Sequence, residues 1–142
     1  MRISVFLLAV GSLLAIPAGV TAQQESPIND TDIKVTGYEE LTYPTLGVMG
    51  NMQGIVVVRV KLDDEGKVVD AVALSGWLIL RNASIENAKK WRFEPNAQKA
   101  AIIVYNFRIE GICFNDKYSS HMIFYPPNFA SITDCGGHPS RY

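Results

Sequence analysis

The sequence lacks the short motifs that mark the common enzyme and cofactor sites. It contains no phosphate-binding loop, no metal-ligand helix and no dinucleotide-binding fingerprint. Ser119, Ser120 and His121 are adjacent, but adjacency in sequence rarely aligns a nucleophile with a base, and no third orienting group is evident. We therefore predict that the chain is not an enzyme and holds no cofactor.

An excess of basic charge is also missing. The chain carries 13 Lys+Arg against 14 Asp+Glu, and loss of Arg2 with an N-terminal signal would leave 12 against 14, a net charge of −2. Nucleic acids and anionic membrane surfaces select clustered basic charge. Neither is therefore expected as the main partner. The chain has no low-complexity run and no internal repeat, which favours one small globular domain.

Only one segment is apolar enough to enter a bilayer, and it lies at the N-terminus. Arg2 precedes an apolar stretch over residues 3–18, and Val20-Thr21-Ala22 offers small residues for cleavage. The stretch is shorter than the ~20 residues that a spanning helix needs, and a glycine and a proline interrupt it. We therefore expect residues 1–22 to be a secretory signal that is cleaved after Ala22. The alternative is a retained anchor, and membrane association is expected only in that case.

Two cysteines, Cys113 and Cys135, follow this segment. A small even number of cysteines in an exported chain favours a disulfide, which would close a loop of about two dozen residues and contribute about 3 kcal/mol. Cys113 with His121 would also make a thiol and base, but exported cysteine pairs more often form bridges. The cysteines could instead stay free thiols, or form a metal site with His121 and His138, although the paired spacing of a zinc site is missing. We predict the disulfide and no metal site.

Hydrophobic periodicity predicts the elements of a small α+β domain. Strict alternation predicts a strand over Gly54–Leu62, and the acidic turn at 63–66, with Gly66 available for a positive φ, leads into a second strand over 67–74. A short strand is expected at 33–36, and a turn of helix or a loop at 45–51. On the first of these strands, the residues expected to face the core are Val56, Val58, Val60 and Leu62.

A helix and a third strand complete the pattern. Spacings of four, four and three residues predict a helix over 78–91, and alternation predicts a strand over 101–109. The helix face that packs on the sheet is predicted to contain Leu80, Ser84, Ala88 and Trp91, with Trp91 and Phe93 as core anchors. The strand is predicted to place Ile103, Tyr105, Phe107 and Ile109 on one face and Ile102, Val104, Asn106 and Arg108 on the other.

An ordered series of motifs resembles the C-terminal domain of the TonB family, whose members carry inner-membrane energy to outer-membrane transporters. The motifs are Tyr43-Pro44, Gly54 before a β-branched run, the Asp63–Gly66 turn, Ser75-Gly76, and Trp91-Arg92-Phe93-Glu94-Pro95. The resemblance implies an α+β fold. It has a three-stranded antiparallel sheet, with a fourth strand from the tail as an option, and one main helix and a short N-terminal helix packed on the sheet.

The resemblance covers only the middle of the chain. Together with the features of the two ends, it predicts a signal at 1–22, a linker or N-terminal arm at 23–41, the TonB-like domain at 42–110, and a cysteine-containing tail at 111–142. The tail reads as a hairpin extension, with strands at 112–114 and 121–125 that end at Pro126-Pro127.

The resemblance implies a partner as well. Transducing members bind a short peptide of an outer-membrane receptor, the TonB box, by strand addition at the edge of the last strand, where unpaired N–H and C=O groups are available. Carried onto this chain, the expected partner-binding residues are Tyr43, Pro44, Ile102, Val104, Tyr105, Asn106, Phe107 and Arg108. The expected partner is a TonB-dependent receptor or another envelope protein, and the expected location is the periplasm, with inner-membrane anchoring as the alternative.

Two further functions stay open on the sequence. Residues 23–41 would span only ~65 Å when fully extended, which is short for bridging two membranes. This differs from family transducers, which carry a long Pro-rich spacer. One alternative is a short transducer that stays in the membrane because its N-terminal segment is not cleaved. A second is an envelope scaffold with a sealed sheet edge, which requires residues 121–125 to pair back on the third strand and a Cys113–Cys135 bridge to fasten them.

Overall fold

The computed structural model describes residues 32–111 and 120–136 of the chain. The elements are β1 (Val35–Gly37), α1 (Thr45–Met49), β2 (Gly54–Leu62), β3 (Val68–Ala73), α2 (Leu78–Ala88), β4 (Arg92–Phe93), β5 (Ala100–Ile109), β6 (His121–Tyr125) and β7 (Phe129–Asp134). The predicted signal and the predicted strand at 112–114 lie outside the described residues. Neither described helix is long and apolar enough to cross a membrane.

The hairpin of β2 and β3 follows the predicted pattern closely. Val56, Val58 and Val60 are fully buried, whereas Ile55 is half exposed on the opposite face. In the turn, the Asp63 carboxylate accepts the backbone N–H groups of Glu65 and Lys67 at 2.9 Å each. The N–H of Lys67 contributes most to holding the pKa of Asp63 below its ordinary value. The predicted strand, turn and core face are therefore confirmed.

Gly66 is required both for its conformation and for its size. Its φ is +82°, and a Cβ at this position would overlap the carbonyl oxygen of Phe93, whose N–H donates to the Gly66 carbonyl at 2.9 Å. We expect Gly66→Ala to lower the free energy of unfolding by about 2 kcal/mol, as measured by urea denaturation. Gly111→Ala is the matched control, because Gly111 has a φ of +74° but open space around it. The control is expected to lose only about 1 kcal/mol, and an equal loss in both variants would contradict the steric argument.

Helix α2 ends earlier than predicted. Its buried face contains Leu80, Ser84 and Ala88, as expected, and the Ser84 hydroxyl donates to the Leu80 carbonyl at 2.8 Å. The helix stops at Ala88 rather than at Trp91, because the N–H groups of Lys90 and Trp91 bond three residues back instead of four. The tightened turn directs the next two residues into β4, which pairs with β1 in a separate two-stranded sheet.

The main sheet is larger than predicted. Five strands pair in the order β3-β2-β5-β7-β6, so the expectation of a three-stranded antiparallel sheet is wrong, although the α+β class and the two helices are confirmed. Strand β7 lies parallel to β5, and β6 pairs antiparallel with the outer side of β7. The sealed-scaffold alternative required residues 121–125 to pair with the third strand, and they do not: they form β6, which pairs with β7. The chain reverses at Pro126-Pro127, and the following strand takes that place.

The two faces of this sheet have different environments. One face, here the core face, packs against α2 and the aromatic residues that follow it. The other, here the open face, carries an apolar row that runs across four strands in register. The members of the row are Val57, Val104, Phe129 and Tyr125. Tyr125 is half exposed on the open face. Buried and more exposed residues alternate along both tail strands, so both strands contribute to each face of the sheet.

Candidate functional site

The strand implied as the partner-binding edge is an interior strand over most of its length. Strand β5 pairs with β2 on one side and with β7 on the other, where six residue pairs run from Val104↔Phe129 to Ile109↔Asp134. At one end of this ladder the Val104 N–H donates to the Asn128 carbonyl at 2.9 Å, and at the other the Glu110 N–H donates to the Asp134 carbonyl at 2.8 Å. The edge that the family resemblance implies for strand addition is therefore paired with the chain's own tail.

The predicted partner-binding residues of β5 divide between the two faces of the sheet. Tyr105 and Phe107 are buried on the core face, where they lie in register with Ala130 and Ile132 of β7. The remaining four lie on the open face. Arg108 is exposed there, and its guanidinium pairs with the Glu110 carboxylate at 2.7 Å. The partly exposed members are Ile102, Val104 and Asn106. These four side chains are not brought together with Tyr43.

Tyr43 and Pro44 lie where the arm enters the domain. Pro44 occupies the N-cap position of α1, and its carbonyl accepts the Val48 N–H at 3.0 Å. The Tyr43 ring packs edge-on against Phe107, with 5.2 Å between ring centroids, and its hydroxyl donates to the Met52 carbonyl. Burial raises the pKa of Tyr43 to about 12, and the nearby Asp134 carboxylate adds to the shift. Because its side chain is buried against Phe107, Tyr43 acts as a core residue.

The tail also contacts this entry segment. The backbone N–H of Tyr43 donates to the Ser120 hydroxyl at 2.7 Å, and the N–H of Leu41 lies 3.3 Å from the Met122 sulfur. Ser120 thus acts as a hydrogen-bond acceptor for the backbone, while Ser119 lies outside the described residues. Both features that the family resemblance links to partner binding, the strand edge and the Tyr-Pro segment, are in contact with residues 120–134.

A buried hydrogen-bond network joins β5 to α2 on the core face of the sheet. The Asn87 Oδ1 atom accepts the Trp91 Nε1–H at 2.8 Å and the Tyr105 hydroxyl at 3.0 Å, and Asn87 Nδ2 donates to the Glu39 carbonyl at 2.9 Å. Sequence reasoning identified Trp91 as a core anchor but missed Asn87. The available signal was spacing, because Asn87 precedes Trp91 by four residues and lies on the buried face of α2.

A groove opens between α1 and the tail, and we call it the entrance groove. Its cavity has a volume of about 200 Å³. The lining residues are Thr42, Tyr43, Thr45, Val48, Met49, Ser120 and Asp134. One wall therefore comes from the TonB-like domain. The other comes from the open end of the β6–β7 hairpin, where Ser120 and Asp134 lie. The sequence alone did not predict that these segments lie next to each other.

The cysteine and metal predictions remain open. Cys113 and His138 lie outside the described residues, so the Cys113–Cys135 bridge stays a prediction. Within residues 32–111 and 120–136, no group of three or more His, Cys, Asp or Glu side chains is placed to hold a metal ion.

The range matched by a known protein family corresponds to the part of the structure from α1 to β5. The family model for the Gram-negative bacterial TonB protein C-terminal region matches residues 39–110, which is 72 of the 142 residues. The matched range contains α1, α2 and β2 to β5, and it stops before the two tail strands. No match is found among curated proteins or among solved structures. Members of the matched family are non-enzymatic protein-interaction domains of the cell envelope. The chain therefore belongs to the TonB C-terminal family.

Proposed function

We propose that this protein is a periplasmic protein-binding module for energy-dependent transport through outer-membrane receptors, and that its tail competes with the partner peptide for β5. The observation that carries the proposal is the parallel pairing of β7 with β5 over residues 104–109. Strand addition supplies main-chain hydrogen bonds and inserts alternate side chains into pockets. Strand β7 does both within one molecule.

The side chains of β7 indicate what a competing peptide must provide. Ala130 faces the core beside Tyr105, and Ile132 does so beside Phe107, and both are completely buried. Side chains at alternate positions of a strand point to the same face. A peptide that replaces β7 therefore needs a small residue followed two positions later by a branched aliphatic residue. The residue between them faces the open side, where Ser131 is partly exposed, and its identity matters less.

Competition by a tethered strand lowers the measured affinity without removing the site. A tethered segment acts at an effective concentration of roughly millimolar when its linker is short. Full burial of an isoleucine side chain contributes about 2 kcal/mol, to which the main-chain pairing adds. The full chain is therefore expected to bind a free peptide weakly, and to bind tightly only a partner that makes additional contacts.

One observation favours the second candidate function, a scaffold with a permanently sealed edge. Met122, Ala130 and Ile132 belong to the same hydrophobic cluster as Trp91 and Phe107. The tail strands are thus part of the core rather than a loose cover. In that case the edge of β5 never opens, and envelope partners meet other surfaces.

Amide hydrogen exchange on the full mature chain tests the proposed function. The probe is a receptor plug domain that carries its TonB box, added at increasing concentrations. The proposal expects binding together with faster exchange of the β7 amides that pair with β5, because the peptide takes their place. Binding that leaves β7 protected would support the scaffold. Absence of binding by the full chain and by the tail-released variant Ile132→Asp would overturn the proposal.

A further inference from the structure

We infer that the entrance groove binds the cationic side chain of a lysine or arginine from a protein partner, with Asp134 as the counter-ion. This inference rests on the proposed function only in taking the partner to be a protein. It concerns a different surface from the edge of β5. The groove also contains tail residues that lie outside the range matched by the family, which ends at residue 110.

The groove has the chemistry that a long cationic side chain requires. Val48 and Met49 provide apolar surface, and Met49 is 77% exposed at the rim. Lysine and arginine bury their aliphatic stems along such surface and keep the charged group at a polar end. A volume of about 200 Å³ is sufficient for one such side chain. The groove therefore selects a side chain that is apolar along its length and charged at its tip.

Asp134 is the charged group that lines the described part of the groove, beside the hydroxyls of Thr42, Thr45 and Ser120. The cation of the neighbouring strand β5, Arg108, is engaged by the Glu110 carboxylate at 2.7 Å. The Asp134 carboxylate is close enough to Tyr43 to raise the pKa of that phenol further. A negative charge at the end of an apolar groove favours a cationic ligand.

The groove depends on the docked tail. Asp134 ends β7 and Ser120 precedes β6, so both reach the groove through the pairing of the tail with β5 and with the Tyr43 backbone. The tail that occupies the strand-addition position therefore completes a second site. A partner that uses the groove binds the chain with the edge of β5 closed.

A pair of small probes tests this site on the full mature chain. The probes are Nα-acetyl-lysine methylamide and Nα-acetyl-norleucine methylamide, which differ only in the charged group, titrated while amide chemical shifts are followed by NMR. We expect the lysine probe to shift the resonances of Val48, Met49 and Asp134 and to bind at least about five-fold more tightly than the norleucine probe, which corresponds to about 1 kcal/mol. Asp134→Asn should bring the two affinities within about two-fold of each other, because it removes the charge at nearly constant shape.

Two further variants keep the result interpretable. Asp70→Asn removes a carboxylate from β3, away from the groove, and should leave the lysine preference unchanged. Met49→Ala removes apolar surface from the exposed rim and should weaken both probes about equally, which tests the groove even if Asp134→Asn fails to fold. Equal binding of the two probes to the unmodified chain, or a preference that survives Asp134→Asn, would overturn the inference. Failure of the receptor to bind would bear on the proposed function alone, since these probes need no strand addition.

Discussion

Replacement of Ile132 by aspartate is expected to release β7 from β5 and to raise the affinity for a TonB-box peptide about 100-fold. Ile132 is completely buried and lies in register with Phe107 on one side and Met122 on the other. An ionised carboxylate without a partner is strongly disfavoured in such surroundings. The tail strand is therefore expected to leave the sheet and expose the paired edge of β5.

The magnitude follows from the fraction of molecules whose edge is open. If docking of the tail contributes about 3 kcal/mol, roughly one molecule in 150 has an open edge at any time, and the apparent affinity is reduced by that factor. Fluorescence anisotropy with a labelled TonB-box peptide measures the change. Thr133→Asp is the matched control, because it introduces the same charge one position later, on the open face, where Thr133 is partly exposed.

The measurement separates the peptide-binding module from the sealed scaffold. Unchanged weak binding in Ile132→Asp, in a protein whose tryptophan fluorescence shows that Trp91 remains buried, would mean that the edge of β5 is not a peptide site. That result would favour the sealed scaffold. An equal gain in Thr133→Asp would point to a general effect of charge, and it would contradict the requirement for release of β7.

Asn87→Ala is expected to reduce the free energy of unfolding by about 3 kcal/mol, as measured by urea denaturation. Asn87 is 5% exposed and joins Trp91, Tyr105 and the Glu39 carbonyl through three hydrogen bonds of 2.8 to 3.0 Å. Its removal leaves the Trp91 N–H and the Tyr105 hydroxyl without this acceptor inside the core. Each buried donor left without a partner costs about 1 to 3 kcal/mol.

A double variant tests whether the lost hydrogen bonds are the cause. Tyr105→Phe removes one of the two donors, so Asn87→Ala in that background is expected to cost about 1 kcal/mol less than in the unmodified chain. Asn106→Ala, on the open face, serves as the control for loss of an asparagine and is expected to change stability by less than about 0.5 kcal/mol. Strictly additive effects at Asn87 and Tyr105 would argue against a shared network.

The elements that could be predicted are those whose signal is local. The alternation of Val56, Val58 and Val60 defines both the strand and its buried face, and Gly66 marks a turn that few other residues could form. The face of α2 was likewise predictable from spacing. The end of the helix was not predictable, because the chain after Ala88 leaves the helix and pairs as β4 with β1, which involves residues more than 50 positions apart.

The strand predicted at 121–125 is confirmed as β6, but β7 could not be predicted, for a related reason. Phe129–Asp134 contains only two buried apolar residues, Ala130 and Ile132, and follows two prolines that normally end a strand. Its place in the sheet depends on parallel pairing with a distant strand and on the space beside Phe107. The entrance groove combines residues 42–49 with Ser120 and Asp134, so it exists only once those pairings have formed.

The position of β7 at the end of the described chain has a consequence for the order of folding. A chain that is exported, as we propose, reaches the periplasm with its N-terminal part first, so residues 54–109, which contain β2, β3 and β5, arrive before β7. Hairpins and helices form within microseconds. Strand β5 can therefore form before β7 is present to cover it. During that interval a neighbouring chain can pair with its edge, and a chaperone that shields exposed strands would act at this stage.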